Sequence, residues 1–174
     1  MNSEKERRPL KVLRKYHRGT YGIVNGTENP STLNCTFYIM EAGYVGTRFV
    51  PGKFHEGHGS MMHGGVIGAV LDELMGFSTG NVELPVEKPL VTAEMTVKYK
   101  RPIPTGIEVK GFARVVRQEG RRFYTEGHLE GADGKVLAMA TGVFVAVDVA
   151  GDDKAGTYKP FAEEELDEKD PKIL

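Results

Sequence analysis

The chain has 174 residues, 40% of them apolar, with 22 glycines and a single cysteine, Cys35, enough for one domain with a sizeable core. Its 23 Lys and Arg against 24 Asp and Glu leave a net charge of −1, so there is no global attraction to nucleic acid or to an anionic membrane. A lone cysteine excludes an internal disulfide, no apolar run approaches the ~20 residues of a membrane span, and the basic N-terminus lacks the apolar stretch of a secretory signal, so a cytoplasmic protein is expected.

In chain order, residues 1–24 form a basic N-terminal extension, either a short docked helix or a frayed arm. Leu33 to Met40 and Tyr44 to Val50 are rich in β-branched and aromatic residues around Glu41-Ala42-Gly43, which predicts a hairpin. The stretch GKFHEGHGSMM predicts a loop, and His63 to Gly80 predicts a helix entered by a tight glycine turn. Asn81 to Pro89, with two prolines, is a connecting loop. Leu90 to Arg101 alternates Val91, Ala93, Met95, Val97 and Tyr99 with Thr92, Glu94, Thr96, Lys98 and Lys100, the period of a strand with one apolar face. Three further strands are predicted over Ile107–Arg117, Arg121–Glu130 and Val136–Val147, the last apolar on both faces and so central. Residues 151–174 form an acidic C-terminal tail, read as a solvated tail or short surface helix, and residues 25–150 are the domain proper.

At 100° per residue the helix is lopsided. Val66, Ile67, Val70, Leu71, Leu74 and Phe77 make the face to be buried. Gly65, Gly68, Ala69, Asp72 and Gly76 lie opposite, so Asp72 sits among side chains too small to shield it, while Glu73 falls at the border and is the weaker candidate. Strands, one long helix and four more strands with short turns describe an α+β layer, an antiparallel sheet wrapped around one long central helix.

The motif HGGVIGAVLD, with an acidic residue seven positions after the second glycine, resembles the signature of the hotdog-fold acyl-CoA thioesterases, in the branch related to the phenylacetate-pathway enzymes. VTAEMTVKYKRPIPTG (Val91 to Gly106) is similar to the strand that follows the central helix there, and EGRRFYTEGHLEGADGKVLAMATGVF (Glu119 to Phe144) to the closing strand pair. GTENPSTLNCTFY and FVPGKFHEG are similar to the segment before the helix, so the resemblance covers roughly Gly26 to Val147.

The resemblance implies a hotdog fold, hydrolysis of acyl-CoA to free acid and CoA, and a homodimer or dimer of dimers with sites at the subunit interface. Asp72 matches the acidic general base or nucleophile, and Thr92 the hydroxyl residue that holds the attacking water. The bare amides of a helix start favour a developing oxyanion, and the Gly65 N–H is assigned that role, with Gly64 shaping the turn. His63 is a further catalytic candidate, although capping the helix entry explains it more simply. Many relatives carry Asn six residues before the motif histidine. Here that position is Gly57, so the Asn role has no carrier, and the neighbouring His58 and His55 are the side chains that could contact a thioester.

Coenzyme A is part of the substrate, and no cofactor or metal is expected. Its phosphates call for basic residues at the mouth, and Lys98, Lys100, Arg101, Arg121 and Arg122 are the candidates at strand ends and turns. Met61, Met62, Met75 and Phe77 would line an apolar acyl tunnel, or simply pack the core. Two alternatives remain at this stage: a non-catalytic acyl-CoA-binding or sensor protein of the same fold, and a hotdog hydratase or dehydratase.

Overall fold

The computed structural model describes residues 9–82, 88–148 and 162–174. Parts of the N-terminal extension, of the loop before Leu90 and of the acidic tail therefore lie outside the described residues. The strands are β1 (Val12–Tyr16), β2 (Tyr38–Met40), β3 (Tyr44–Phe49), β4 (Glu56–His58), β5 (Met61–Met62), β6 (Leu90–Tyr99), β7 (Val109–Glu119), β8 (Arg122–Gly131), β9 (Val136–Ala146) and β10 (Glu163–Glu164). One long helix, α1 (Gly64–Ser78), follows β5. An antiparallel sheet in the order β10-β1-β2-β3-β7-β8-β9-β6 carries α1 on one face, while β4 and β5 pair as a separate small hairpin in the stretch expected to be a loop. As its two apolar faces imply, β9 is interior, between β8 and β6.

Helix and sheet meet through the residues the periodicity singles out. Ile67, Val70, Leu71 and Leu74 are buried, joined by Met75, against Val45, Ala113, Leu129, Ala140 and Phe144 of the sheet. Val66 and Phe77 are only partly covered, because they stand at the edges of the apolar stripe. Close seating of α1 needs glycine in the strands: a Cβ at Gly111 would lie 2.9 Å from Leu74 and Leu129, and one at Gly127 would lie 3.1 Å from Met75.

The two ends differ most from expectation. The described part of the N-terminal stretch, from Pro9 onwards, supplies β1 in place of a helix or a frayed arm, and residues 162–174 return to pair with it instead of remaining a solvated tail. The charges explain why. Arg14 bonds Glu163 at 2.8 Å, His17 contacts Glu164 at 2.5 Å, and the Lys15 ammonium bridges Asp167 at 3.0 Å and Asp170 at 2.8 Å. A near-neutral total thus conceals a basic run zipped to an acidic one. On the face away from α1, Leu174 completes an apolar patch with Val12, Tyr38, Met40 and Phe112.

Candidate active site

His63 is the N-cap of α1, in extended backbone conformation, and its ring Nδ1 accepts the Gly65 N–H at 2.9 Å. The His63 carbonyl accepts the N–H groups of Val66 and Ile67, both at 3.0 Å. These bonds correct the assignment of a bare amide at Gly65: the capping side chain occupies it, and the first-turn N–H without a partner among the described residues belongs to Gly64. Since Nδ1 is the acceptor, a neutral His63 ring carries its proton on Nε2. Gly57 makes room for that ring, because a Cβ there would lie 3.0–3.2 Å from His63 atoms. With His63 in this place, a side chain at the family's Asn position requires His63 to shift by a few tenths of an ångström.

Two turns along α1, Asp72 is half-buried, and its Oδ1 accepts the Thr92 hydroxyl at 2.7 Å. The structure therefore unites the two residues singled out as base and water holder. It does so against simple strand alternation, which sets Thr92 on the face opposite Met95, Val97 and Tyr99. A β-bulge between Thr92 and Glu94 makes the correction. The extra residue, Ala93, inverts the alternation, so that Thr92 before it and Met95 and Tyr99 after it all approach α1.

β6 runs antiparallel to α1 beside its small-residue face. At one end Thr92 meets Asp72. At the other the Tyr99 hydroxyl donates to the Gly64 carbonyl at 3.0 Å, and Met95 and Tyr99 lie within 4.0 Å of a Cβ placed on Gly68. Tyr99 was not anticipated as a site residue; its place on the odd-numbered apolar face of the predicted strand was the only signal.

Glu73 was underestimated. Its Oε2 is buried without a hydrogen-bond partner among the described residues. Burial, and then the neighbouring Asp72 charge, push its carboxyl up to about 7.

The remaining candidates disperse. His58 is exposed on the β4–β5 hairpin, and Met62 and Met75 are buried core residues. Both ring nitrogens of His55 are engaged, by the Gly52 N–H at 2.8 Å and the Ser31 carbonyl at 3.1 Å, so it is a buried strut. The basic residues form two groups: Lys98, Lys100 and Arg101 lie by the start of α1, whereas Arg121 and Arg122 lie by the Leu90 end of β6, Arg121 paired with Asp148 at 2.9 Å. No helix among the described residues is long and apolar enough to cross a membrane.

Residues 59–138, which hold the helix cap, Asp72 and Thr92, match the sequence model of the thioesterase superfamily. The domain has the hotdog fold of the solved thioesterase-superfamily proteins that it resembles. This domain is 32% identical over 112 residues to an acyl-coenzyme A thioesterase, THEM4, of Xenopus laevis, a match covering 64% of the chain and 49% of that protein. The chain spans about half the length of the curated relatives it matches. Among solved structures, the thioesterase superfamily protein RHA08564 is 26% identical with a TM-score of 0.66, covering 72% of this chain and 60% of that one. The BH2602 protein from Bacillus halodurans, solved with CoA, is 29% identical with a TM-score of 0.53, covering 59% and 66%.

Proposed function

We propose that this domain hydrolyses acyl-CoA thioesters at a site shared between two copies of the chain. The observation that carries the reading is the Thr92–Asp72 hydrogen bond at 2.7 Å, formed beside a strand whose outer edge is unpaired among the described residues. THEM4 proteins and the CoA-bound BH2602 structure support the substrate class.

Helix geometry supports the sharing. Gly64 and Asp72 are eight residues apart on one helix, so they are separated by about 12 Å along its axis. No single carbonyl carbon reaches both. A two-fold axis beside β6 lays two α1 helices antiparallel, and Asp72 of one copy then faces the first-turn amide of the other. The same operation brings Lys98, Lys100 and Arg101 of one copy towards Arg121 and Arg122 of its partner, a basic mouth for the CoA phosphates that one chain lacks.

In this arrangement the Thr92 hydroxyl spends its proton on Asp72 Oδ1 and keeps its lone pairs. Water donates one hydrogen to Thr92 and the other to the free Asp72 oxygen, leaving its own lone pair aimed at the thioester carbon. Asp72 takes a proton as water attacks, the oxyanion rests on the Gly64 N–H and the start of α1, and collapse expels the CoA thiolate, which recovers the proton from Asp72. The products are a free acid and CoA. Engagement of Oδ1 by Thr92 favours this base role over direct attack by Asp72.

The test is release of free thiol from a panel of acyl-CoA substrates by the wild type, Asp72→Asn and Thr92→Ala. Turnover that collapses in Asp72→Asn supports the reading. Tight acyl-CoA binding without turnover in the wild type refutes it.

A further inference from the structure

Two glycines open α1, and a Gly-Gly pair has more backbone freedom than any other. Three bonds take that freedom away. The His63 carbonyl accepts the N–H groups of Val66 and Ile67, both at 3.0 Å, which fixes the peptide plane that carries the Gly64 N–H. The next plane, from the Gly64 carbonyl to the Gly65 N–H, is held at both ends: the His63 ring accepts its N–H at 2.9 Å, and the Tyr99 hydroxyl donates to its carbonyl at 3.0 Å. His63 holds the turn from within its own segment. Tyr99 holds it from the sheet, 35 residues further along the chain.

Tyr99 is well mounted for this. It is the last residue of β6, paired with Ala138 of β9, and the N–H groups of Lys100 and Arg101 that follow it both donate to the Leu137 carbonyl, at 2.8 and 3.0 Å. Its ring rests against the first turn of the helix, where a Cβ on Gly64 would meet it at 3.6 Å and one on Gly68 would lie 4.0 Å from the hydroxyl. Yet the residue is 56% exposed, so burial does not account for a large aromatic side chain at this strand end.

We propose that Tyr99 is a positioning residue for the oxyanion donor: its hydroxyl, by holding the Gly64 carbonyl, keeps the first turn of α1 set with the Gly64 N–H directed out of the helix. This rests on the reading of the Gly64 N–H as that donor. Such a donor is effective because it is already in place when charge develops, and a turn free to rock must be reset in every passage over the barrier. Without the hydroxyl, the Gly64–Gly65 peptide is held by its N–H alone. β6 then has two duties on one helix, since Thr92 holds Asp72 and Tyr99 holds Gly64. In a two-fold dimer it sets the base of one site and the donor of the other.

Tyr99→Phe removes the oxygen and keeps the ring contacts at a half-exposed position, so the fold is not at risk. With this variant, kcat for an acyl-CoA is expected to fall about three- to tenfold at unchanged KM, a fraction of the roughly hundredfold effect of losing a donor outright. Because Tyr99 acts through one amide, its effect vanishes where that amide is already gone: Tyr99→Phe added to Gly64→Pro costs nothing further, whereas added to Thr92→Val the two losses multiply. In the ligand-free protein, hydrogen exchange of the Gly65 amide is expected to quicken about two- to tenfold in Tyr99→Phe. An unchanged kcat in Tyr99→Phe, a loss that multiplies with that of Gly64→Pro, or unaltered Gly65 exchange overturns the proposal. Full activity in Gly64→Pro, or no turnover in the wild type, refutes instead the reading on which it rests, and quickened Gly65 exchange would then uphold the hold of Tyr99 on the helix start.

Discussion

If each site takes its oxyanion donor from one copy and its base from the other, two inactive variants should repair one another. Gly64→Pro removes only the unpartnered N–H. Proline is tolerated at the first helical position, and the preceding His63 already has φ −63° and ψ 136°, the conformation proline demands of its neighbour. A Cβ at position 64 would meet the Tyr99 ring at 3.6 Å, an ordinary contact. Loss of the donor should cost about 3 kcal/mol of barrier, roughly a hundredfold in kcat. Asp72→Asn abolishes the base. After refolding as a mixture, half of the dimers pair one variant with the other, and in each of these one site of two has both groups intact. Specific activity should return to about one quarter of the wild-type value, as two-fold symmetry requires. Thiol release reads the activity and native mass spectrometry confirms the mixed dimers. Mixed dimers without recovered activity would place the whole site within one chain, and full activity in Gly64→Pro alone would remove Gly64 from the mechanism.

Thr92→Val keeps the shape of the side chain and removes the oxygen bonded to Asp72; kcat should fall about 10- to 100-fold with unfolding free energy changed by under about 1 kcal/mol, whereas Thr92→Ser should retain most activity. Lys15→Met strands the Asp170 carboxylate, whose side chain is 8% exposed, and should cost about 2 kcal/mol in urea unfolding. Burial opposes the Asp170 charge, but Lys15, the Asp167 amide and Tyr38 hold its carboxyl below the usual range; its contribution is therefore complete above the unfolded carboxylate value and lost as pH falls through the folded one, and Lys15→Met should flatten that acid limb. Gly57→Asn forces a Cβ to within 3.0–3.2 Å of His63 and should destabilise by about 1–2 kcal/mol while displacing the ring, visible as altered exchange of the Gly65 amide.

The parts of this architecture that rest on periodicity were legible. Helix α1 was announced by apolar residues every three to four positions, and β6 to β9 by alternation broken at short turns. What escaped were features with no mark in composition. The bulge at Ala93 is one extra residue in a run that alternates smoothly on paper, yet it decides which face Thr92 occupies. Which glycine amide stays free depends on where the His63 ring turns, a side-chain torsion rather than a sequence pattern. The basic and acidic ends were each visible alone, but only the return of the chain puts Lys15 between Asp167 and Asp170.

Those same features would make the site and a contact between two copies of the chain one device. Strands at the edge of a sheet usually end in short segments or are covered, because unpaired backbone groups invite another chain. β6 is instead ten residues long, carries Val91 at 47% and Tyr99 at 56% exposure, and has β9 on one side only. The glycines of α1 beside it leave Asp72 half-buried in a single copy. Pairing through this edge would cover the exposed apolar residues and bring Asp72 to the partner's helix start in the same step. Specific activity should therefore fall on dilution in parallel with dissociation followed by mass photometry. Activity that persists in protein shown to be monomeric would separate the two and require a water activated without the partner's amide.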